Sequence, residues 1–406
     1  MPQLQLAFLL AMTVALGPFA LDAYLPAFPR IAEDLGARNS DIGLSLSAYV
    51  AALGLAQLVG GPLSDRYGRQ LILFTGLFIF AASSLMVAQA QTLEFMLVWR
   101  AVQGIGGALC AVSVPAIVRD QVRGSESARL FGLIGLMMFI APAAAPAIGS
   151  GLLAVGDWPM IFILLAVYAL LLAFLLHFLL FPRLAPRTPD DTPVHTLVTN
   201  YMLVLRHPLT MRFIALQAMA FSAMLVFITH SSFIYQEWFG LSNSMFSVLF
   251  AANIGGMAIF NVINRRLLLS FESVRLLRIW VFVQGVAFAL LLLMAWVDAP
   301  YWAVAACIIV GSGCMGALVP NNMANALEFF PRLGGTASAL LGASQFTVAG
   351  LVTAASASLA GDSLNAIALV MAVASMGCVA LAASAPAALK RHTRRNAREQ
   401  ADQTSA

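Results

Sequence analysis

The sequence predicts an all-α membrane protein: twelve transmembrane helices in two halves. Three observations lead there. Of 406 residues, 61% are apolar and only 10% are charged, against roughly 45–50% and about 25% in soluble domains. The apolar residues form continuous runs of about 20, the length that crosses a bilayer core as a helix, and not the short alternating segments of a β-barrel. A polar, proline-rich break separates six runs from six more. A soluble core could not hide so much apolar surface, which argues against a soluble enzyme, a nucleic-acid binder and a secreted scaffold.

The first six runs lie near 5–28, 41–62, 71–90, 93–118, 128–152 and 158–181, and the second six near 213–236, 244–264, 276–297, 301–328, 335–360 and 364–386. The chain therefore divides into a first bundle (1–181), a cytoplasmic linker (182–212), a second bundle (213–386) and a basic cytoplasmic tail (387–406). The linker holds Pro182, Pro186, Pro189, Pro193, Pro208, Asp190 and Asp191; its 196–205 stretch reads equally as a short interfacial helix or a solvated loop. No basic residues precede the first run and no small-residue cleavage site follows, so that run reads as a retained span. Of the 22 Lys and Arg residues, all but Arg30, Arg38 and Arg100 fall on one side if both termini are cytoplasmic, as the positive-inside rule requires. The net charge of +4 then reflects topology and a tail beside anionic lipid, with no nucleic acid needed. Cys110, Cys307, Cys314 and Cys378 lie in apolar runs without a CxxC pair or a Cys/His cluster. They read as packing residues, and no metal or cofactor is expected.

Asp22 and Arg100 are the charges that solvation does not explain. A charge at a helix centre costs about 2.5–3.5 kcal/mol on insertion scales, which marks both as functional candidates. Counted along spans one and four, both lie about 12 Å below the outer surface. The matched depth permits contact. Burial and a nearby guanidinium act on an acid in opposite senses, so a small movement of Arg100, or the arrival of water, would switch Asp22 between protonated and ionised forms. The alternative is a static pair that fixes two helices.

Three further strings stand out. Between spans two and three runs Gly60-Gly61-Pro62-Leu63-Ser64-Asp65-Arg66-Tyr67-Gly68-Arg69, whose Asp65, Arg66 and Arg69 can bridge neighbouring helix ends while Gly61 and Gly68 allow turning and close approach. In span four, Arg100 and Gln103 lie one turn apart beside a small-residue face, Gly104-Ile105-Gly106-Gly107. In span five, Pro142, Pro146 and Gly149 sit among alanines, which suits close packing and a helix that bends between states.

Together these strings resemble the major facilitator superfamily, and within it the twelve-span drug:proton antiporters. The Asp65 loop is similar to the superfamily's motif between spans two and three, and the Arg100 string to its span-four motif. The span-five string resembles the antiporter motif G-x-x-x-G-P-x-x-G-G, with Ala141, Ala145 and Ser150 in place of three glycines. Asp22-Ala23-Tyr24-Leu25-Pro26-Ala27-Phe28-Pro29 resembles the D-x-Y-L-P-x-x-P signature of the Bcr/CflA branch, the exporters of bicyclomycin, chloramphenicol and sulfonamides. The resemblance implies the major facilitator fold, with two six-helix bundles rocking about a cavity lined by spans 1, 4, 7 and 10. It implies that Asp22 carries the proton and that Asp65 latches the cytosolic side against the start of span eleven at Gly334. The corresponding loop after span eight has Asn264 where the acid would be, so the latch is one-sided.

The second half holds no acid deep in a span: Glu237 and Glu328 lie near span ends, and His230 reads as a polar residue facing the cavity or another helix. The substrate is then recognised by apolar and uncharged polar groups, for which Tyr24, Gln103, Gln217, Phe221, Met224, Asn321, Asn322 and Asn325 are the candidates, each also readable as helix packing. The expected function is export of a small amphipathic compound in exchange for protons, by a monomer in a bacterial inner membrane. The alternative is a proton symporter of the same fold. No HExxH, acid cluster or Ser/His/Asp set supports an enzyme.

Overall fold

The computed structural model describes residues 3–121, 125–184, 194–330, 333–361 and 363–384. The basic tail, and the centre of the linker with Pro186, Pro189, Asp190, Asp191 and Pro193, lie outside them. The described residues form helices and short turns, with no strand among them. Twelve helices are long and apolar enough to cross a membrane: span one (Gln5–Leu35), two (Asn39–Tyr67), three (Arg69–Val87), four (Leu93–Val118), five (Ile134–Val155), six (Pro159–Arg183), seven (Pro208–Trp238), eight (Asn243–Leu267), nine (Ser273–Trp296), ten (Tyr301–Leu327), eleven (Gly334–Leu359) and twelve (Leu364–Ala383). Every apolar run of the sequence is one of these. The linker stretch left open above is helical, Val194–Leu205. It has something to pack on, since Tyr201 donates its hydroxyl proton to the Leu58 carbonyl of span two at 3.2 Å. Burial, and after it the charge of Asp65, push the Tyr201 phenol above its ordinary pKa.

The two halves repeat one packing scheme. Span one packs on five as seven packs on eleven, two on four as eight on ten, and three on four as nine on ten. Spans three and six pair as nine and twelve do, and the halves meet through two against eleven and five against eight. This is the pattern of two six-helix bundles related by a pseudo-two-fold axis. One pair departs from it: span six packs less extensively on span one, through Tyr168, which donates to the Met12 carbonyl at 2.7 Å, than its counterpart, span twelve, packs on span seven.

Small residues set the tightest approaches, as expected where lipid removes the hydrophobic drive between helices. A Cβ on Gly106 would lie 2.7 Å from the Phe80 nitrogen and 2.8 Å from the Gly76 carbonyl oxygen, both backbone atoms of span three. Gly61, inside the span-two helix, has nothing within 4 Å of the equivalent position. Gly106→Ala is therefore expected to destabilise by about 1–3 kcal/mol through overpacking, whereas Gly61→Ala is neutral or slightly stabilising in a helix. Thermal melting of the purified variants reads the difference, and equal melting would contradict this packing.

The face that carries the ends of spans two, six and eight, with Arg66, Arg69, Arg183, Arg265 and Arg266, is here termed the arginine-rich face. Toward the opposite face the bundles are tied together. Asn39 donates to Glu237 at 3.1 Å, Ser47 to Thr353 at 2.9 Å and Gln236 to the Pro26 carbonyl at 3.3 Å. Ser150 and Ser247 share a hydroxyl hydrogen bond of 3.0 Å. That side is shut.

Candidate functional site

Span one is not a continuous helix, although its apolar run suggested one ending at residue 28. An α-helix, Gln3–Asp22, stops at the acid; a 3₁₀ turn, Leu25–Ala27, and a second helix, Phe28–Leu35, follow. The cause is in the sequence. Pro26 and Pro29 lack the N–H groups that would bond the carbonyls of Asp22 and Leu25. A break at membrane depth persists only where protein re-satisfies the freed backbone; here the Phe28 N–H takes the Leu25 carbonyl, and Arg100 braces the end of the first helix at the Ala20 carbonyl.

Arg100 is fully buried. Its Nη2 donates to the Ala20 carbonyl, two residues before Asp22, at 3.1 Å, and its Nη1 donates to Gln103 Oε1. Gln103 Nε2 donates to Ser84 at 2.6 Å, and Ser84 to the Phe80 carbonyl at 2.7 Å, which anchors spans four and one to span three. The guanidinium carbon lies 4.5 Å from the Tyr24 ring centroid, 4.6 Å from Tyr49 and 5.8 Å from Phe162. Stacking on aromatic faces is a way to hold a cation out of water without a carboxylate. Tyr49, Phe162 and Ser84 were not among the sequence candidates, because nothing local marks an aromatic or a serine in one span as the partner of an arginine in another.

Asp22 is 4% exposed. Its Oδ1 has no hydrogen-bond partner, and the carboxyl makes no ion pair among the described residues. The direct Asp22–Arg100 contact that matched depth permitted is thus not formed. The terminal nitrogens of the arginine go to Gln103 and to the Ala20 carbonyl instead. Gly149 of span five lies against the same break, where a Cβ would overlap the Ala23 carbonyl. Pro142 and Pro146 lie within one continuous helix, Ser125–Val155. Ala141 and Ala145 are buried, and Ser150 joins the contact between bundles.

Several cavity candidates are buried and hydrogen-bonded to protein in this conformation. Tyr24 and Gln103 are fully buried inside the first bundle. Ser45 donates to the Ile42 carbonyl, so the Tyr24 hydroxyl donates to Ser45 at 3.0 Å. Asn321, Asn322 and Asn325 also bind protein. Asn321 Nδ2 donates to Asn264 Oδ1 at 2.8 Å, Asn325 to Ser273 at 3.2 Å and Asn322 to the Phe213 carbonyl at 2.8 Å. Carboxamides and hydroxyls at membrane depth find partners on neighbouring helices, and these do. Gln217, Phe221 and Met224 form one stripe of span seven. Gln217 Nε2 donates to Gln345 of span eleven at 2.7 Å while its Oε1 lacks a partner, and Phe221 meets Phe346 edge-on at 5.2 Å. His230 faces a helix, with Nε2 3.1 Å from the Ser356 hydroxyl.

At the arginine-rich face the first bundle carries a charged cluster. Arg69 bridges Asp65 at 2.5 Å and Asp120 at 3.0 Å, joining the loop to the end of span four. Gly68 has φ +96°, which favours glycine at this turn. Arg66 projects beside Tyr67, 5.8 Å from its ring centroid. The equivalent place in the second bundle is neutral: Asn264 accepts from Trp280 at 3.0 Å as well as from Asn321. Asn264→Leu would strand both donors in a buried site, at a cost of about 2–3 kcal/mol, and a lowered melting temperature is the expected result.

Residues 8–354 match the family model of the Major Facilitator Superfamily. An uncharacterized MFS-type transporter, YdgK, of Bacillus subtilis is 32% identical over 345 residues, 84% of this chain and 85% of that one. A bicyclomycin resistance protein homolog of Haemophilus influenzae is 26% identical over 86% of this chain and 87% of its own. Among solved structures, the nucleoside transporter NupG matches with a TM-score of 0.75 at 15% identity, covering 94% of this chain and 98% of that one; this is a likeness of fold. The chain belongs to the Major Facilitator Superfamily and is a multi-pass protein of the bacterial inner membrane.

Proposed function

We propose that this superfamily member is a proton-coupled antiporter. It exports small amphipathic drugs or related metabolites, of the bicyclomycin, chloramphenicol or sulfonamide kind, across the inner membrane by alternating access. The observation that carries the reading is Asp22, a buried carboxyl with an unpartnered oxygen at the break in span one. A group so placed gains or loses its proton according to what reaches it: water from one side, water from the other, or the neighbouring arginine. The bicyclomycin-resistance relative supports the drug class.

With both termini cytoplasmic, the arginine-rich face is cytosolic and the tied face is external. Asp22 takes a proton from outside and substrate leaves. The halves, 1–181 and 213–386, then rock to face inward, new substrate binds and the proton passes to the cytosol. Asp65, Arg66 and Arg69 latch the cytosolic side in the outward-facing state. Gln217, Phe221 and Met224 remain the substrate contacts, since an adaptable apolar stripe with one free amide oxygen suits uncharged amphipathic compounds.

Proteoliposomes that hold the purified protein and a pH-sensitive dye test this. Added chloramphenicol or bicyclomycin is expected to drive proton movement opposite to drug movement. Movement of both in the same direction would make the protein a symporter. No proton movement with drug flux intact would remove the coupling role of Asp22.

A further inference from the structure

On the arginine-rich side of the Tyr168–Met12 hydrogen bond that joins spans one and six, the first bundle carries a groove of about 670 Å³. Span one is its floor, Leu136 and Ile140 of span five form one wall, and Leu175 and Leu179 of span six form the other. Leu175, Leu179 and Arg183 are spaced four apart, and Arg183 stands at the mouth beside Gln5. Span six reaches this shape by leaving α-helical geometry. A π-helical turn, Leu176–Leu180, and a 3₁₀ turn, Phe181–Arg183, end it, while Phe74 of span three holds the back of the turn against Phe181 at 5.4 Å.

The dimensions and charge point to an occupant. Eight residues separate Leu175 from Arg183, about 12 Å of helix, which is most of the roughly 15 Å hydrocarbon depth of one leaflet. The walls are apolar and open to lipid, with Leu136 and Ile140 each 56% exposed. The one contact of the Arg183 guanidinium among the described residues is a long one, 3.5 Å from Nη1 to Gln5 Oε1, so its other donors are available at headgroup level. We propose that this groove binds an anionic phospholipid, with the phosphate on Arg183 and one acyl chain lying along the leucine stripe between spans five and six. The site stands on this geometry alone. Only its assignment to the inner leaflet rests on the orientation proposed above.

Native mass spectrometry of the full-length protein in mild detergent, titrated with phosphatidylglycerol or phosphatidylcholine, tests the site. The parent is expected to retain one phosphatidylglycerol in preference to phosphatidylcholine. Arg183→Gln removes that preference, weakening phosphatidylglycerol about fivefold, the contribution of one basic residue near a lipid surface. Ile140→Trp fills the groove and abolishes retention of both lipids; Leu136→Phe, on the same wall, replaces it if that variant fails to fold, as judged by its melting temperature. Leu369→Trp, on an exposed face of span twelve, retains lipid as the parent does. Equal retention of both lipids by the parent, an unchanged preference in Arg183→Gln, or unchanged retention in a folded groove-filling variant each overturns the proposal. So does occupation of the groove by a second copy, seen as a dimer mass that phosphatidylglycerol does not displace.

Discussion

Everted vesicles carrying Asp22→Asn are expected to accumulate no drug in response to a proton gradient, although the variant inserts and melts as the parent does. Both halves of that expectation come from the surroundings of the carboxyl. No ion pair among the described residues depends on it, and its Oδ1 accepts no hydrogen bond, so an amide of the same size removes no structural contact. What it removes is the ability to carry a proton. Downhill exchange of substrate can survive, since the break in span one is made by Pro26 and Pro29 and capped by Arg100, none of which the substitution touches. Drug-loaded proteoliposomes without a pH gradient measure that exchange, and the everted vesicles measure uphill accumulation. Undiminished uphill accumulation by Asp22→Asn would sink the assignment. Loss of both activities together with a lowered melting temperature would show that Asp22 is structural.

The span count and the family motifs were legible because they are local. A run of apolar residues declares a span by its length, and the Asp65 loop declares its turn by glycine and charge. Pairings between spans were not legible. The matched depth of Asp22 and Arg100 permits a contact that is not formed, because a guanidinium is held by aromatic faces, an amide oxygen and a backbone carbonyl as well as by a carboxylate. Tyr24 illustrates the same limit. The sequence leaves it open between cavity and helix packing; the turn after residue 22 carries it under Arg100 and onto Ser45. The two prolines that cause this turn were in plain view. Their consequence, a helix that stops at Asp22 and a 3₁₀ turn over Leu25–Ala27, is clear only in the structure.

The asymmetry between the halves was half legible. Asn264 in place of an acid announced that the charged cluster is not repeated, and the three asparagines of span ten looked like cavity residues. They are the complement of that replacement in two cases: Asn321 and Asn325, with Ser273, build the neutral network around Asn264. A neutral network responds little to a change of pH or salt, whereas Arg69, Asp65 and Asp120 lie partly in solvent, where screening acts. Under the proposed cycle, the first bundle makes and breaks charged contacts while the second moves as a fixed block.

Arg100→Ala carries the second large expected effect, on stability and transport together. Removing the side chain empties a fully buried site and takes away two aromatic contacts within 4.6 Å. It also frees the Ala20 carbonyl inside the bundle. A cost of about 3 kcal/mol or more follows from the cavity and the lost cation–π contacts, with a further contribution from the stranded acceptor. Arg30→Ala is the control. Its pair with Asp157 at 3.3 Å is between side chains 61% and 49% exposed, and such pairs contribute about 0–1 kcal/mol. Arg100→Lys separates charge from geometry: a lysine keeps the charge but is a point donor without the planar fork that reaches Gln103 and the Ala20 carbonyl at once. If the arginine acts by capping the break, Arg100→Lys melts early and exchanges substrate poorly, like Arg100→Ala. If it acts only as a charge near Asp22, Arg100→Lys keeps transport and shifts its pH profile. Melting and transport equal to those of Arg30→Ala would leave Arg100 with neither role, and the break in span one would then have to be held by Gly149 and the aromatic packing alone.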